Sequence, residues 1–445
     1  MPALLLLWGG AGLLCAGGLA RRLNLAEFLS LSLLTGMGTV GLWGLLIMAI
    51  GQRFGIVTAS VILLGVGCFG IREWQARYRT WRRTPRLSVL AALFTLLLAT
   101  AVVKPLLEVH WLPLLGWDSR IIWGYKAKVI LEEGTVRVPA FEDPYRVHLQ
   151  PGYPVLIPIV QAYCGGFGAT RDDRDFKVPI ALANLAAIVL FAGALRRRTV
   201  SMAACIGGAC LLGYLPAWAS ALEVSLPEVV SGAFNLAAAI LLVRWFSEGD
   251  SVMASWTILF AALSGLCKGE GVVFLSACLG LMLICAIRMG RARSRLSTAA
   301  TLATALALVG LASWKSLELH LPVVCTMDYW GLFVSGQWSV TWGKLCLIAT
   351  EFAKSVLSPY SWGLLFPLYA LALLRTPREH RLLGLLILAY VLAFVPAFVL
   401  SSWDPLETHI RIALPRILLQ VAPIAALSVA ETLAAWLGPP PQPAD

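Results

Sequence analysis

Charge is scarce in this chain. Asp, Glu, Lys and Arg make up 13% of its 445 residues, against about 25% in an ordinary soluble domain. That excludes a water-solvated globular enzyme. No Gly-rich phosphate loop occurs, so the usual cradle for a nucleotide is missing. The ten Cys form no Cys-x-x-Cys pair and have no His nearby, and metal binding by cysteine is not expected. Cys15, Cys68, Cys205, Cys210, Cys278 and Cys285 fall in apolar runs, where a free thiol behaves as a small hydrophobe. Cys164, Cys325 and Cys346 lie nearer the polar segments, and no disulfide is expected there.

Apolar residues fill the space that charge leaves. They make up 59% of the chain, and the mean hydropathy is +0.80. Runs such as 87–103 and 382–400 are uncharged and near the roughly 20 residues needed to cross a bilayer. Residues 3–20 are expected to be a first span rather than a signal peptide, because Arg21 and Arg22 follow the apolar run, the reverse of the targeting order. The pattern predicts an all-α polytopic membrane protein of about 13 transmembrane helices. They lie near 3–20, 25–50, 54–71, 87–107, 176–195, 199–220, 228–245, 251–267, 271–289, 297–316, 360–375, 382–401 and 417–436.

The arginines set the orientation. Alternate connections hold Arg21–Arg22, the six arginines from Arg72 to Arg86, Arg196–Arg198, Arg244, the set Arg288 to Arg295, and Arg375, Arg378 and Arg381. Together these are more than half of the 35 Lys and Arg residues, opposed only by Glu73, Glu248, Asp250 and Glu379. Short basic connections lie on the cytoplasmic side. The net charge of +11 thus reflects topology and contact with anionic lipid, not nucleic-acid binding. The polar segment 108–175 then faces outward, with the turns near 223–228 and 268–270, the 317–359 segment and the 402–416 loop. Nucleotide sugars are cytoplasmic, so chemistry on the outer face must draw an activated substrate from the membrane. A lipid-linked donor is expected.

Within 116–158, titratable groups are far denser than a simple connection requires. Asp118 precedes an amphipathic helix expected at Ile121–Glu132. It suits an N-cap and equally a general base that takes a proton from an acceptor hydroxyl. Lys126 and Lys128 point to different helix faces, so at most one faces a site. Prolines 144, 151, 154 and 158 delay regular helix until about Val155, and the rigid backbone between them could present Asp143, Arg146 and His148 to one cavity. Glu223 and Glu228 bracket Ser225-Leu-Pro227 at a hairpin end. Lys268-Gly-Glu270-Gly interrupts an apolar run, and ionisable groups at membrane level are functional by default. Lys268 could pair with Glu270, or neutralise a donor phosphate that Glu270 orients. Arg416, at the outer end of the last span, could snorkel to the interface or hold a phosphate through its planar fork, with Arg411 as a second candidate. Aromatics including Trp117, Trp123, Tyr125, Tyr153 and Trp403 crowd the same face, mostly as interfacial anchors.

The order of these features resembles the GT-C superfamily of integral membrane glycosyltransferases. It is most similar to bacterial polyprenyl-phosphate-sugar transferases of the protein mannosyltransferase and lipid A aminoarabinose transferase kind. The resemblance rests on Trp117-Asp118 followed by Trp123 and Lys126-Ala-Lys128, on His148 followed by Tyr153-Pro154 and Pro158, on Lys268-Gly-Glu270-Gly, and on Arg416 followed by Gln420 and Pro423. Such proteins often carry an acid before Tyr-Pro, where this chain has Gly152, and an Asp before the hairpin Leu-Pro, where it has Ser225. No metal site is therefore assigned.

The resemblance implies a helix bundle with a large first external loop carrying a catalytic Asp. Residues 1–86 would be a three-span extension, 87–437 the catalytic core including loop 108–175, and 438–445 a cytoplasmic Pro-rich tail. The implied activity moves a monosaccharide from a polyprenyl-phosphate donor to a glycan, lipid or protein acceptor at the outer face of the bacterial inner membrane, with inversion. Asp118 would be the base. Arg416, Arg411, Lys268, Glu270, His148, Asp143, Tyr153, Lys126 and Glu223 would bind substrate. No cofactor is required, although a divalent cation could sit on Asp118, Asp143 or Glu223. The alternatives are a lipid-linked sugar flippase, and a polymerase or ligase using a diphosphate-linked donor.

Overall fold

The computed structural model describes residues 2–71, 75, 88–168, 173–198, 201–288, 310–311, 314–315, 317, 334–336, 341–375, 378–401 and 404–437. Among them every regular element is a helix, and no strand forms. The longer helices are α1 (Pro2–Ala16), α2 (Leu25–Ala49), α3 (Ile56–Phe69), α4 (Val89–Trp111), α5 (Tyr125–Glu133) and α6 (Leu156–Gly165). Next come α7 (Val178–Arg196), α8 (Met202–Gly213), α9 (Pro216–Glu223), α10 (Glu228–Glu248), α11 (Ser251–Cys267) and α12 (Glu270–Arg288). The last are α13 (Trp342–Val356), α14 (Leu365–Arg375), α15 (Arg378–Leu392), α16 (Leu406–Leu419) and α17 (Ala422–Leu437). This is a helical, multi-pass membrane protein.

Helix ends are written in short-range chemistry. Asn24 and Glu27 form a reciprocal capping box, with Glu27 N donating to Asn24 Oδ1 at 3.0 Å and Asn24 N to Glu27 Oε2 at 2.9 Å. Ser88, Ser201, Asp250 and Thr341 cap α4, α8, α11 and α13. Gly134 and Gly249 close α5 and α10 in the left-handed conformation. Glycine also lets α1 and α2 touch, because a Cβ on Gly10 would overlap the Ser32 carbonyl and one on Gly36 the Leu6 carbonyl. Small residues allow this backbone approach where no hydrophobic force drives helices together.

Among the described residues six helices are long and apolar enough to cross a membrane, or up to eight if each of two bent pairs is one span. The sequence suggests 13. Several of the predicted runs form shorter helices, including Pro2–Ala16, Ile56–Phe69 and Ser251–Cys267. The 297–316 run lies almost wholly outside the described residues, as does the tail 438–445. Run 199–220 divides into α8 and α9, bent by 59°, and α16 and α17 are bent by 52°. Pro216 opens α9 and Pro423 sits in the first turn of α17, and a proline there suits a helix start but lacks the backbone donor that would continue the preceding helix.

α10 is the centre. In its most apolar window 94% of residues are buried, against 11% for α4, which faces outward along its length. Around α10 pack α7, α11, α15 and α17, and α2 lies against both α6 and α7. The described residues of segment 108–175 are largely helical. They hold the end of α4, a π-helical turn Ser119–Gly124, then α5 and α6, because helix satisfies backbone groups that an irregular chain would leave bare. The helix expected at Ile121–Glu132 is thus split between the π turn and α5.

Candidate functional site

The charged side chains sort to opposite ends of the bundle. At one end Arg22 pairs with Asp250, Arg197 with Glu27, and Arg244 with Glu248. At the other lies a five-residue cluster assembled from four parts of the chain.

Glu228 is its floor. It stands in the first turn of α10, immediately after Pro227, and is wholly buried. Its Oε1 accepts from Lys268 Nζ at 2.7 Å and from Arg416 Nε at 2.5 Å. Lys268, in the break between α11 and α12, also lies 2.9 Å from Glu270 Oε1. Arg416, near the end of α16, reaches across to Asp118, with Nη1 2.6 Å from Oδ2. Exposure rises from 0% at Glu228 and 7% at Lys268 to about a quarter at Glu270, Arg416 and Asp118. The cluster therefore has a buried base and an open mouth. Two of its atoms, Arg416 Nη2 and Glu228 Oε2, are buried without a hydrogen-bond partner. Buried ion pairs give little net stability against well-packed apolar residues, and ionisable groups at this depth mark function.

Asp118 does not cap its helix. Its backbone is helical (φ −57°, ψ −43°) and its side chain makes no capping bond, which leaves the carboxylate for Arg416. The next residue fixes its place. Ser119 Oγ donates to the carbonyls of Val224 and, at 3.1 Å, Ser225. This ties the π turn to the hairpin that leads into Glu228. Ser225 takes a positive φ of 59° there.

Behind the π turn, Lys126 is buried and donates to the carbonyls of Gln150 (2.5 Å) and Tyr153 (3.2 Å). Its ammonium sits 5.8 Å from the Trp123 ring and 5.7 Å from the Tyr153 ring, within cation–π range. Burial pushes it down to about 7. Tyr153 is raised by burial first, and its phenol also feels Lys268, Glu270, Arg416 and Asp118. Lys126 thus braces the Tyr153 backbone beside the cluster without entering it. Lys128 points away, 62% exposed, beside Glu132.

Other sequence candidates lie elsewhere. Arg411 pairs with Glu351 at 3.0 Å and with Glu407. Asp143 pairs with Arg146 at 3.4 Å. Glu223 pairs with Lys104 at 3.2 Å, and His148 is exposed. Asp143 and Arg146 thus stay together at the protein surface, and His148 is exposed nearby. Trp403 is outside the described residues. Among the described residues no three His, Cys, Asp or Glu side chains converge on a metal position, and Asp118, Asp143 and Glu223 each pair with a different basic residue, Arg416, Arg146 and Lys104. Cys164 and Cys346 are free thiols.

Two groups went unselected in the sequence. Glu228 was overshadowed by Glu223, and its position directly after Pro227 is the signal, since proline favours a helix start and places the next side chain in the first turn. Below it, Ser231 Oγ bonds Ser264 Oγ (2.6 Å) and Gln420 Oε1 (2.9 Å), while Asn235 Nδ2 donates to the Gln420 carbonyl (3.1 Å). Residues 228, 231 and 235 follow helical spacing on one face of α10. They clamp the α16–α17 break, where a carbonyl freed by the bend must find a donor.

Compared with protein-family models and with curated proteins, the chain matches none of them.

Proposed function

We propose that the cluster is the active site of a membrane glycosyltransferase that uses a polyprenyl-phosphate sugar. One observation carries this reading. Arg416, a guanidinium with an uncommitted nitrogen, is bonded directly to the carboxylate of Asp118 at the open mouth of a buried ionic cluster. A phosphate holder and a base are thereby adjacent. The likeness to GT-C enzymes at Trp117-Asp118, Tyr153-Pro154, Lys268-Gly-Glu270 and Arg416 supports the same reading. So does the segregation of arginines to the opposite end, which favours the outer face for the cluster under the positive-inside rule. The membrane would be the bacterial inner membrane.

Three carboxylates and two cations meet in the cluster, so it carries an excess negative charge. A donor phosphate cannot simply add to it. It must compete with Asp118 for Arg416, and in doing so it frees the carboxylate beside the anomeric carbon. The acceptor hydroxyl then attacks that carbon, the bond from carbon to phosphate oxygen breaks, and the hydroxyl proton passes to Asp118. The leaving phosphate rests on Arg416 with Lys268 behind it. Proton transfer neutralises Asp118 as the phosphate gains its charge, so the site's total stays constant. Positioning and charge stabilisation supply most of the catalysis, because a phosphate is already a fair leaving group.

A second reading is a lipid-linked sugar flippase. The broken pair α16–α17 beside Arg416 favours it, since transporters build sites on discontinuous helices. Reconstitution separates the two. Purified protein in liposomes with a polyprenyl-phosphate sugar should release polyprenyl phosphate when acceptor is present. Movement of the intact donor between leaflets, with no release, overturns the transferase.

A further inference from the structure

The Arg-rich end holds a second site, independent of the transferase reading. A cavity of about 300 Å³ opens there between the ends of α7, α10, α15 and α17. Its polar wall is Arg197, Arg198 and Arg244 with Glu248 and Glu431, and its apolar wall includes Ile240, Val243, Leu383 and Leu427. Along α10 it lies 16 residues from Glu228, about 24 Å at 1.5 Å per residue. It shares nothing with the Asp118 cluster.

The arginines are held by carboxylates yet not used up. Arg197 directs Nε and Nη2 at Glu27, each at 2.5 Å. Arg198 Nε lies 3.8 Å from Glu431. Arg244 gives Nε and Nη2 to Glu248 at 2.9 and 3.3 Å. Its Nη1, 4.0 Å from Glu27, is buried and has no hydrogen-bond partner. Arg244 is the deepest of the three, with a side chain only 9% exposed. A buried guanidinium edge without an acceptor leaves a charged donor unsatisfied, a cost that an incoming anion removes. Phosphate oxygens match the guanidinium fork.

We propose that this cavity binds a phosphate group through Arg244 and Arg197, and that its source is the headgroup of an anionic phospholipid. The apolar wall favours the lipid, since Leu383 and Leu427 can receive the glycerol and upper acyl chain where a free anion would meet only desolvation. Basic pockets between spans on the cytoplasmic side are suited to such headgroups, and arginine density places this end there.

The test uses the full-length protein, purified in neutral detergent and examined by native mass spectrometry and melting. Phosphatidylglycerol, phosphatidylcholine and inorganic phosphate are the probes. Arg244→Gln removes the buried donor but also loosens Glu27 and Glu248. Ser247→Trp is therefore the second variant, because it obstructs the cavity wall and leaves every ion pair in place. Wild-type protein should retain phosphatidylglycerol over phosphatidylcholine, and both variants should lose that retention by about tenfold or more, as expected for charged hydrogen bonds. If inorganic phosphate alone raises the melting temperature of delipidated protein, and Ser247→Trp abolishes the rise, the group bound is the free anion. Equal retention of the two lipids with no response to phosphate overturns the site. So does undiminished phosphatidylglycerol retention in folded Ser247→Trp.

Discussion

Arg416 and Asp118 are 298 positions apart in sequence, and their side chains meet at 2.6 Å. Neither is placed by its neighbours alone. Asp118 is held by Ser119 on the Val224 and Ser225 carbonyls, and Arg416 by Glu228. The contact therefore depends on residues 224–228, which Ser119 and Arg416 both bind.

Asp118→Asn keeps the shape of the side chain and can still accept from Arg416, but it has no basicity. Protein yield and melting should stay close to wild type. Transfer from a polyprenyl-phosphate sugar should fall by roughly 10²–10⁴, the range for loss of a general base. Near-normal turnover in a purified assay would reassign the base.

Arg416→Lys preserves the charge but loses the planar fork that holds Glu228 through Nε while offering its terminal nitrogens to Asp118 or, in its place, a phosphate. Transfer should drop at least about tenfold with little change in expression. Unchanged transfer would leave Arg416 as a structural tie only.

Glu228 and Glu223 should behave oppositely. Glu228→Gln leaves Lys268 and Arg416 buried against a neutral partner, and breaking a buried pair costs about 3–5 kcal/mol. Glu223→Gln removes an exposed contact with Lys104, worth about 0–1 kcal/mol. Melting of the two purified variants checks this, and equal stability would contradict the buried role of Glu228.

Lys126 gives a pH signature. Burial lowers it from 10.5 to about 7. Between those values the unfolded chain holds a proton that the folded chain does not, so stability rises with pH across that window, by up to about 1.4 kcal/mol per unit. Below about pH 7 the full penalty is present. Lys126→Met has no such dependence, so the melting temperature of wild type minus that of the variant should climb from pH 7 to pH 9. A flat difference would mean that the Gln150 and Tyr153 carbonyls and the two rings keep the ammonium charged throughout.

Sidedness is open to labelling. In a Cys-free background, single cysteines at 137 and 407 should react with an impermeant maleimide from outside intact cells, and those at 198 and 248 only after permeabilisation. Label at 137 solely from the cytoplasm would remove the case for a lipid-linked donor.

Much of the cluster was legible because charge is rare in this chain. Asp118, Lys268, Glu270 and Arg416 stand out against apolar surroundings, and the structure gathers all four. Choosing between near neighbours was harder. Glu223 ends α9 and faces Lys104, while Glu228 begins α10 and faces inward. Arg411 and Arg416 share α16, but five residues of helix turn them to different faces, one toward Glu351 and one toward Glu228. Such choices depend on partners from distant segments, which periodicity does not reveal. The span count is not recovered among the described residues for a related reason. Apolar runs of similar length become one long helix, two bent ones or a short one according to where proline falls and what lies beside them. At the Arg-rich end, Arg197 and Arg244 read as topology markers, and nothing local announces that Glu27 joins them.

Because α10 is enclosed along nearly its whole length and carries Glu228 at one end and Arg244 at the other, its residue count is as constrained as its composition. Deleting one residue near its middle would turn one end relative to the other by about 100° and shorten it by about 1.5 Å. Either Glu228 would leave Lys268 and Arg416, or Arg244 would leave Glu27 and Glu248. Length variation should be borne by the connections between helices, while α10 acts as a gauge that fixes the separation of the two ionic clusters.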